Sequence, residues 1–306
     1  MKDILREFVV SLLFFLPRRR RILIDRWLRG REELRKVQRA DYILMSWGKS
    51  GRTWLRLMLS RFYQLRFGLS ERNFLQFDNL KRVNPEIPSV FFTHGNYLRN
   101  YTNNWDTKVE FHGKKIILLV RDPRDVAVSQ YFQWKYRMRP WKKLLNDYPP
   151  HGADIPIFEF VMTPSVGLPR VIRFFNEWAA EITNARASLV IRYEDMRANP
   201  HKTLREALEF LGTPGSDDEI EEAVSYASFE NMKRLEEKKV FRLSGRRLVP
   251  GNSADPNTYK VRRAKIGGYR DYFSDGELAQ IDHITRTSLS PFYGYDAAAA
   301  NDAVGA

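Results

Sequence analysis

The sequence predicts an α/β fold with a parallel sheet flanked by helices on both faces. Three observations carry that expectation. Short apolar runs alternate with longer stretches of helical periodicity: YILM at 42–45, SVFFT at 89–93, KIILLV at 115–120 and SLVIR at 188–192. KIILLV is apolar from its second residue to its last, the composition of a strand covered on both sides. A glycine-bearing turn, Gly48-Lys49-Ser50-Gly51, joins the first run to the first long helix. Strand–helix alternation of this kind gives a parallel sheet with its site at the strand C-terminal ends.

The elements follow in order. Residues 8–16 (FVVSLLFFL) are apolar and precede Pro17 and the arginines Arg18 to Arg21. A spanning helix needs about 20 apolar residues, so this segment is too short to cross a bilayer. As a signal peptide it lacks a small-residue cleavage site, and its arginines lie on the wrong side. Two readings stay open: an interfacial anchor on anionic lipid through residues 1–21, or a helix packed on the main domain. Ile22 to Arg39 reads as a second, strongly charged helix. After the first strand, Trp54, Leu57, Met58, Phe62 and Leu65 mark one face of a helix. Asn96 to Gly113 is polar and reads as loop. Asp122 is a good N-cap and Pro123 a good first helical residue for a helix through about Tyr136. Met138 to Leu168, rich in Pro, Gly and aromatics, reads as an irregular insertion near a binding site. Ile172, Phe175 and Trp178 mark a helix over 171–182. Further helices are expected at about 200–211, 217–226 and 275–289, with a mobile loop over 234–260. The expected organisation is a helical extension, 1–40; a main domain, 41–296; and a frayed small-residue tail, 297–306.

Composition narrows the chemistry. The 306 residues are 43% hydrophobic, enough for one large α/β domain, and contain no cysteine. Disulfides, thiolate nucleophiles and Cys-ligated metals are therefore excluded. The five histidines are scattered without metal-ligand spacing, so no metal site is expected. A formal net charge of +14 favours anionic partners.

The turn after the first strand is a ready anion site. Backbone N–H groups at a helix N-terminus and the helix dipole favour negative charge. Lys49 adds a full charge, and Ser50 and Thr53 add hydroxyls. Gly48-Lys49-Ser50 fits the end of the nucleotide-binding P-loop G-x-x-x-x-G-K-[ST], but its first glycine would be Ile43. The longer run WGKSGRTWL resembles the 5′-phosphosulfate loop of the cytosolic-type sulfotransferases, [YF]-P-K-S-G-[TS]-T-W-[LM]. Gly48 stands in place of Pro, and Arg52 in place of the first Thr or Ser.

Four further stretches resemble that family in the same order. VRDPRDVAVSQY at 120–131 is similar to its 3′-phosphate element. Independently of the family, Arg121 at a strand tip and Ser129 two turns into the next helix converge on one phosphate, or Arg121 pairs with Asp125. RYEDMRANP at 192–200 resembles Y-E-D-[ML]-x-x-[ND]-P, where Tyr193 matches an adenosine contact. ASFENM at 227–232 resembles T-S-F-x-x-M, in which Phe229 stacks on adenine or is simply core; Trp54 carries the same two readings. RRAKIGGY at 262–269 resembles the C-terminal cap R-K-G-x-x-G-D-W-K. Arg262 and Arg263 match its basic pair; Ala264, Gly268 and Tyr269 replace Gly, Asp and Trp.

The resemblance spans about residues 45–274. It implies the P-loop NTPase-like sulfotransferase fold and the cofactor 3′-phosphoadenosine 5′-phosphosulfate (PAPS). On the matching positions it places Lys49, Ser50, Gly51, Arg52, Thr53, Trp54, Arg121, Ser129, Tyr193, Phe229, Arg262, Arg263 and Ala264 around that cofactor. Lys49 would stabilise the leaving phosphate, and backbone donors would hold the 5′-phosphate. His94, in F-T-H-G, resembles the family's K-T-H general base, with Phe92 where the family has Lys. If His94 is structural instead, Asp78 or Glu110 lies in a suitable loop. Tyr136, Trp141, Tyr148 and Phe158 would suit an apolar or ring-bearing acceptor, or a lid core. The acceptor is a small molecule, lipid or saccharide, no specific nucleic acid is expected, and the location is cytoplasmic, with peripheral contact at the inner membrane face under the anchor reading. Two rivals remain: a P-loop-type kinase using Lys49 and Asp122 with magnesium, and a charge-driven membrane-binding protein.

Overall fold

The computed structural model describes residues 2–71, 74–75, 80–241, 248–252 and 254–295. Two helices, α1 (Lys2–Leu12) and α2 (Arg18–Arg39), precede the sheet. Then come β1 (Tyr42–Ser46), α3 (Arg52–Phe67), β2 (Val90–Thr93), a short α4 (Leu98–Thr102) and β3 (Lys115–Val120). The chain continues through α5 (Pro123–Phe132), α6 (Pro140–Leu145), α7 (Ile157–Met162), α8 (Leu168–Glu181) and β4 (Ala187–Arg192). It closes with α9 (Tyr193–Ala198), α10 (Pro200–Phe210), α11 (Asp217–Tyr226), α12 (Phe229–Glu237) and α13 (Asp275–Ser288).

The four strands form one parallel sheet in the order β2-β1-β3-β4, with Leu44 registered against Phe92 on one side and Ile117 on the other. Alternate residues serve opposite layers. Tyr42, Leu44, Ile117 and Leu119 pack with α3, α10 and α11, while Ile43, Met45, Ile116 and Leu118 pack with α5, α8 and α13. Both faces are covered, which is why β1 and β3 are apolar runs. Each such buried side chain contributes roughly 1.5–3 kcal/mol.

Several expectations are corrected. The insertion at 138–168 contains α6 and α7, and the loop at 96–113 contains α4. Ser228 caps α12 through Asn231 N, so ASFENM starts a helix and the segment expected to be a loop from 234 begins inside it. Residues 242–247 and 253 of that loop lie outside the described residues, as do 296–306 and Asp78. The helix after β3 is α-helical only to Phe132, then widens into a π-helical turn over Gln133–Arg137. Such turns recur at functional sites, and both Gln133 and Arg137 line the cavity described below.

The N-terminal helices are packed against the domain. On α2, Gly30 lies so close to α4 that a Cβ would meet Tyr97 O at 2.3 Å. The buried Glu33 accepts from Thr93 Oγ1 and from Tyr97 N, fixing the chain on both sides of His94. Arg6 of α1 pairs with Glu32 at 2.7 Å. The outer face of α1 and the turn after it leave Phe8, Leu12, Phe14 and Phe15 exposed, beside the exposed Arg18 to Arg20. Among the described residues no helix is long and apolar enough to cross a membrane.

Candidate active site

One cavity of about 440 Å³ opens at the C-terminal ends of the strands. Its floor is the turn between β1 and α3. Lys49 lies in the left-handed region at φ +78°, and Gly51 at φ +95°. A left-handed non-glycine residue costs roughly 1–2 kcal/mol, strain of a kind that collects at functional sites. Gly51 is required twice over, because a Cβ there would meet the Tyr193 ring at 2.6 Å. The first turn of α3 then offers N–H groups with no partners within the helix.

Of the residues singled out in the sequence, Lys49, Gly51, Arg52, Thr53, Trp54, His94, Arg121, Ser129, Tyr193, Phe229, Arg262, Arg263 and Ala264 all line this cavity. Ser50 does not. Its side chain is fully buried behind the turn, and its Oγ has no hydrogen-bond partner among the described residues. Glu110 lies elsewhere, bonded to Asn104. Asp122 is committed to Arg124, at 2.7 Å from Nη2, and to capping α5, so it is not available as a metal ligand.

The cavity is strongly cationic. Lys and Arg side chains line it from end to end, and Asp125 is the one carboxylate among the described lining residues. Burial, and then Arg137, Arg121 and Arg262 nearby, push Lys49 down to about 7, opposed by Glu236. Arg121 bridges three segments. It donates to Asp125 Oδ2 and to Lys265 O, both at 3.1 Å, and lies over the Tyr193 ring at 4.4 Å. The ion pair with Asp125 and the place on the cavity wall therefore coexist.

Two buried carboxylates hold the C-terminal cap in place. Asp125 accepts from the N–H groups of Gly267 and Tyr269, at 3.0 and 2.9 Å. Glu236, fully buried, pairs with Arg137 at 3.0 Å and accepts from the N–H groups of Lys260 and Val261. The motif's missing aspartate at Gly268 has a neighbour in Asp271, which bonds Lys265 at 2.7 Å and also pairs with Arg263. Ala264, where the motif has glycine, stands at φ +50°.

The Trp54 and Tyr193 rings meet edge to face at 6.0 Å, and the Arg197 guanidinium lies 5.7 Å from the Trp54 ring. With Phe229 they bound one end of the cavity. The Trp54 indole N–H is buried without a partner among the described residues. An aromatic slot with an unused donor, between cationic walls, fits a purine nucleotide carrying two anionic groups.

At the other end His94 is held by both ring nitrogens. Arg52 Nη2 lies 2.8 Å from Nε2, and Nδ1 lies 2.5 Å from Ser46 O. A guanidinium only donates, so Nε2 carries the lone pair and Nδ1 the proton. Burial, and then the Arg52 charge, keep His94 well below the ordinary imidazole value.

The wall around this end comes largely from residues the sequence did not single out: Trp47, Gln130, Lys142, Asn146 and Arg170. Arg170 lies 5.5 Å from the Trp47 ring and 5.7 Å from the Tyr148 ring, and donates to Asn146 O at 2.8 Å. The only signal available was the position of the aromatic-rich insertion, which left acceptor wall and lid core open, and the structure divides its aromatics between the two. Tyr148 lines the cavity. Trp141 instead donates to Asp25 of α2, Phe158 packs on Phe273, and Tyr136 stacks on Phe132.

Comparison with known proteins agrees with this geometry. The family model described as "Sulfotransferase domain" matches residues 39–293. Cytosolic sulfotransferase 17 of Arabidopsis thaliana is 28% identical over 279 residues, covering 81% of this chain and 73% of that protein. Flavonol 3-sulfotransferase of Flaveria bidentis is 27% identical over 290 residues, covering 86% and 87%. Among solved structures, a mouse sulfotransferase complexed with PAP superposes with a TM-score of 0.54 at 21% identity, covering 84% of this chain and 89% of that one. Retinol dehydratase in a complex with retinol and PAP gives 0.53 at 16% identity, covering 82% and 81%.

Proposed function

Because the chain belongs to the sulfotransferase domain family, we propose that it moves a sulfuryl group from PAPS to the hydroxyl or amine of a small acceptor, with no metal ion required. The observation that carries this reading is the meeting of the Lys49 turn and three arginine-bearing segments on one cationic cavity. When bound, the cofactor supplies a sulfuryl electrophile whose leaving group is a phosphate oxygen. In this reading Arg121, Ser129, Arg262, Arg263 and the backbone at Ala264 hold the 3′-phosphate. The backbone N–H groups of Ser50, Gly51, Arg52 and Thr53 hold the 5′-phosphate, while the Arg52 side chain lies on His94. Trp54, Tyr193 and Phe229 hold the adenine.

Lys49 donates to the oxygen that gains charge, the kind of interaction that speeds transfer chemistry. Nε2 of His94 takes the proton of the acceptor. The acceptor oxygen bonds to sulfur as that proton leaves, and the electron pair of the broken sulfur–oxygen bond passes to the phosphate side, beside Lys49. The test is transfer of labelled sulfate from PAPS to a panel of phenols, sterols and saccharides in the presence of a chelator. Chelator-insensitive transfer supports the reading. Labelled phosphate transfer from ATP, dependent on magnesium, would favour a kinase instead.

The same reading treats residues 41–296 as the sulfotransferase domain, 1–40 as a helical extension and 297–306 as a tail. It places the protein in the cytoplasm, in contact with the inner membrane face through residues 1–21. Exposed Phe8, Leu12, Phe14 and Phe15 beside a run of arginines match an anionic lipid surface. Co-sedimentation with phosphatidylserine vesicles, lost on removal of residues 1–21 while cofactor binding stays, is the expected result. Equal sedimentation of the shortened protein would remove the membrane role.

A further inference from the structure

We infer that Gln130 selects the acceptor: its side-chain amide binds a second acceptor oxygen, on the carbon next to the one whose hydroxyl is sulfated. The substrate class is then vicinally oxygenated, such as a catechol, a vicinal diol or an α-hydroxy ketone. This rests on the sulfotransferase reading and narrows its substrate. Gln130 stands in the last turn of α5, is only 5% exposed, and lines the cavity. Its side-chain amide makes no hydrogen bond among the described residues, although it carries two N–H donors and a carbonyl acceptor. Asn146, the other buried amide of the cavity, is by contrast engaged at both ends. It accepts from Tyr97 Oη at 3.2 Å and donates to Lys142 O at 2.8 Å. A buried amide without a protein partner is costly to keep, and a ligand group that pairs with it recovers that cost on binding.

The amide lies beside the proposed base. A Cβ on Gly48 would stand 3.2 Å from Gln130 Oε1 and 4.0 Å from His94 Nε2. Gln130 and His94 therefore border one small space at the residue before Lys49. Two oxygens on neighbouring carbons fit it, one facing Nε2 and the other bonded to the amide. A hydroxyl in the second place can accept from the amide N–H or donate to its oxygen, and a carbonyl can accept. A bare C–H leaves the amide unpaired, and the acceptor that carries it is disfavoured for that reason. Glycine at 48 makes the space. The resembling motif has proline there, and any Cβ would press on the amide oxygen at 3.2 Å. Gly48 and Gln130 thus act as one device. In the reaction the first oxygen gives its proton to Nε2 and bonds to sulfur, while the neighbouring oxygen is unchanged in the product.

The test uses the full chain saturated with adenosine 3′,5′-bisphosphate (PAP), which fills the donor end and lacks the sulfuryl group. Matched probes are titrated in: catechol against phenol, and 2,3-dihydroxynaphthalene against 2-naphthol. Expected is at least about tenfold tighter binding of the dihydroxy member of each pair. Q130M keeps the length of the side chain and removes its hydrogen bonds. It should abolish the preference, bind 2-naphthol no more weakly than the parent does, and melt no lower than the parent, since a buried unpaired amide is gone. Gly48 is outside the left-handed region, so G48A should fold and lose part of the preference by displacing the amide. Equal binding of the paired probes, binding of neither, or a preference that survives Q130M overturns the inference. A Q130M protein that melts well below the parent also overturns it, because Gln130 would then belong to the scaffold. Failure of PAP itself to bind would sink the cofactor reading instead, a separate result.

Discussion

The two ends of the cavity, the donor end and the acceptor end of the proposed function, are built on different principles. The donor end is assembled from chain turns at strand tips, each with a fixed backbone shape: Lys49 and Gly51 in left-handed conformations, Arg121 tied to Asp125, and a cap held by two buried carboxylates. The acceptor end is assembled from side chains on helices far apart in sequence, Arg52, Lys142 and Arg170, around a histidine whose lone pair is already engaged. Both depart from the family's motifs, the first at Ala264, Gly268 and Tyr269 of the cap and the second at Gly48, Arg52 and Phe92 around His94. In the proposed reading, rigid backbone geometry holds the cofactor and side chains select the acceptor.

Damage at the donor end should therefore be severe and indifferent to the acceptor. Lys49→Ala should lower kcat by about a hundred- to a thousandfold, as loss of a transition-state donor does, with a melting curve close to the parent's because the residue lies in a turn. A variant that unfolds would place Lys49 in the scaffold instead of the chemistry. Gly51→Ala, forced into a left-handed backbone against Tyr193, should weaken PAP binding at least about tenfold and destabilise the fold by roughly 1–3 kcal/mol. Unchanged affinity would show that the turn is not the phosphate cradle.

A subtler effect separates the ends by pH. Burial and the surrounding arginines hold Lys49 near 7 in the free protein. A bound bisphosphate brings negative charge and raises that value. Binding between about pH 7 and 9 should take up a proton, visible as a dependence of calorimetric enthalpy on buffer. Affinity should fall as pH rises above 7 and level off below it, where Lys49 is already charged. His94, held low, adds no titration in that window. The smallest effect is expected at the cap. Ala264→Gly relieves a left-handed alanine and should change stability by no more than about 1 kcal/mol, in the stabilising direction by thermal melting, with acceptor preference unchanged.

The contrast also explains what the sequence made legible. The sheet was readable because strands buried on both faces must be apolar, as YILM and KIILLV are. The residues that meet on the cavity were readable because turns at strand tips keep short, ordered signatures. Ser50 was the exception, since its position in the signature does not say which way its hydroxyl points. Helices α9 and α12 went unread because capping residues such as Ser228 look like loop. Lys142 and Arg170 carry no local pattern; only the packing of α6 and α8 brings them to the cavity wall. Trp141 stayed open between acceptor wall and lid core for the same reason, as its partner Asp25 lies 116 residues away.

The most direct test of the donor end is calorimetric titration of the full chain with adenosine 3′,5′-bisphosphate, without metal, beside ATP with magnesium. Tight metal-free binding that prefers the 3′-phosphate and weakens above pH 7 is the predicted result. Preference for ATP with magnesium, or binding of neither, would contradict it.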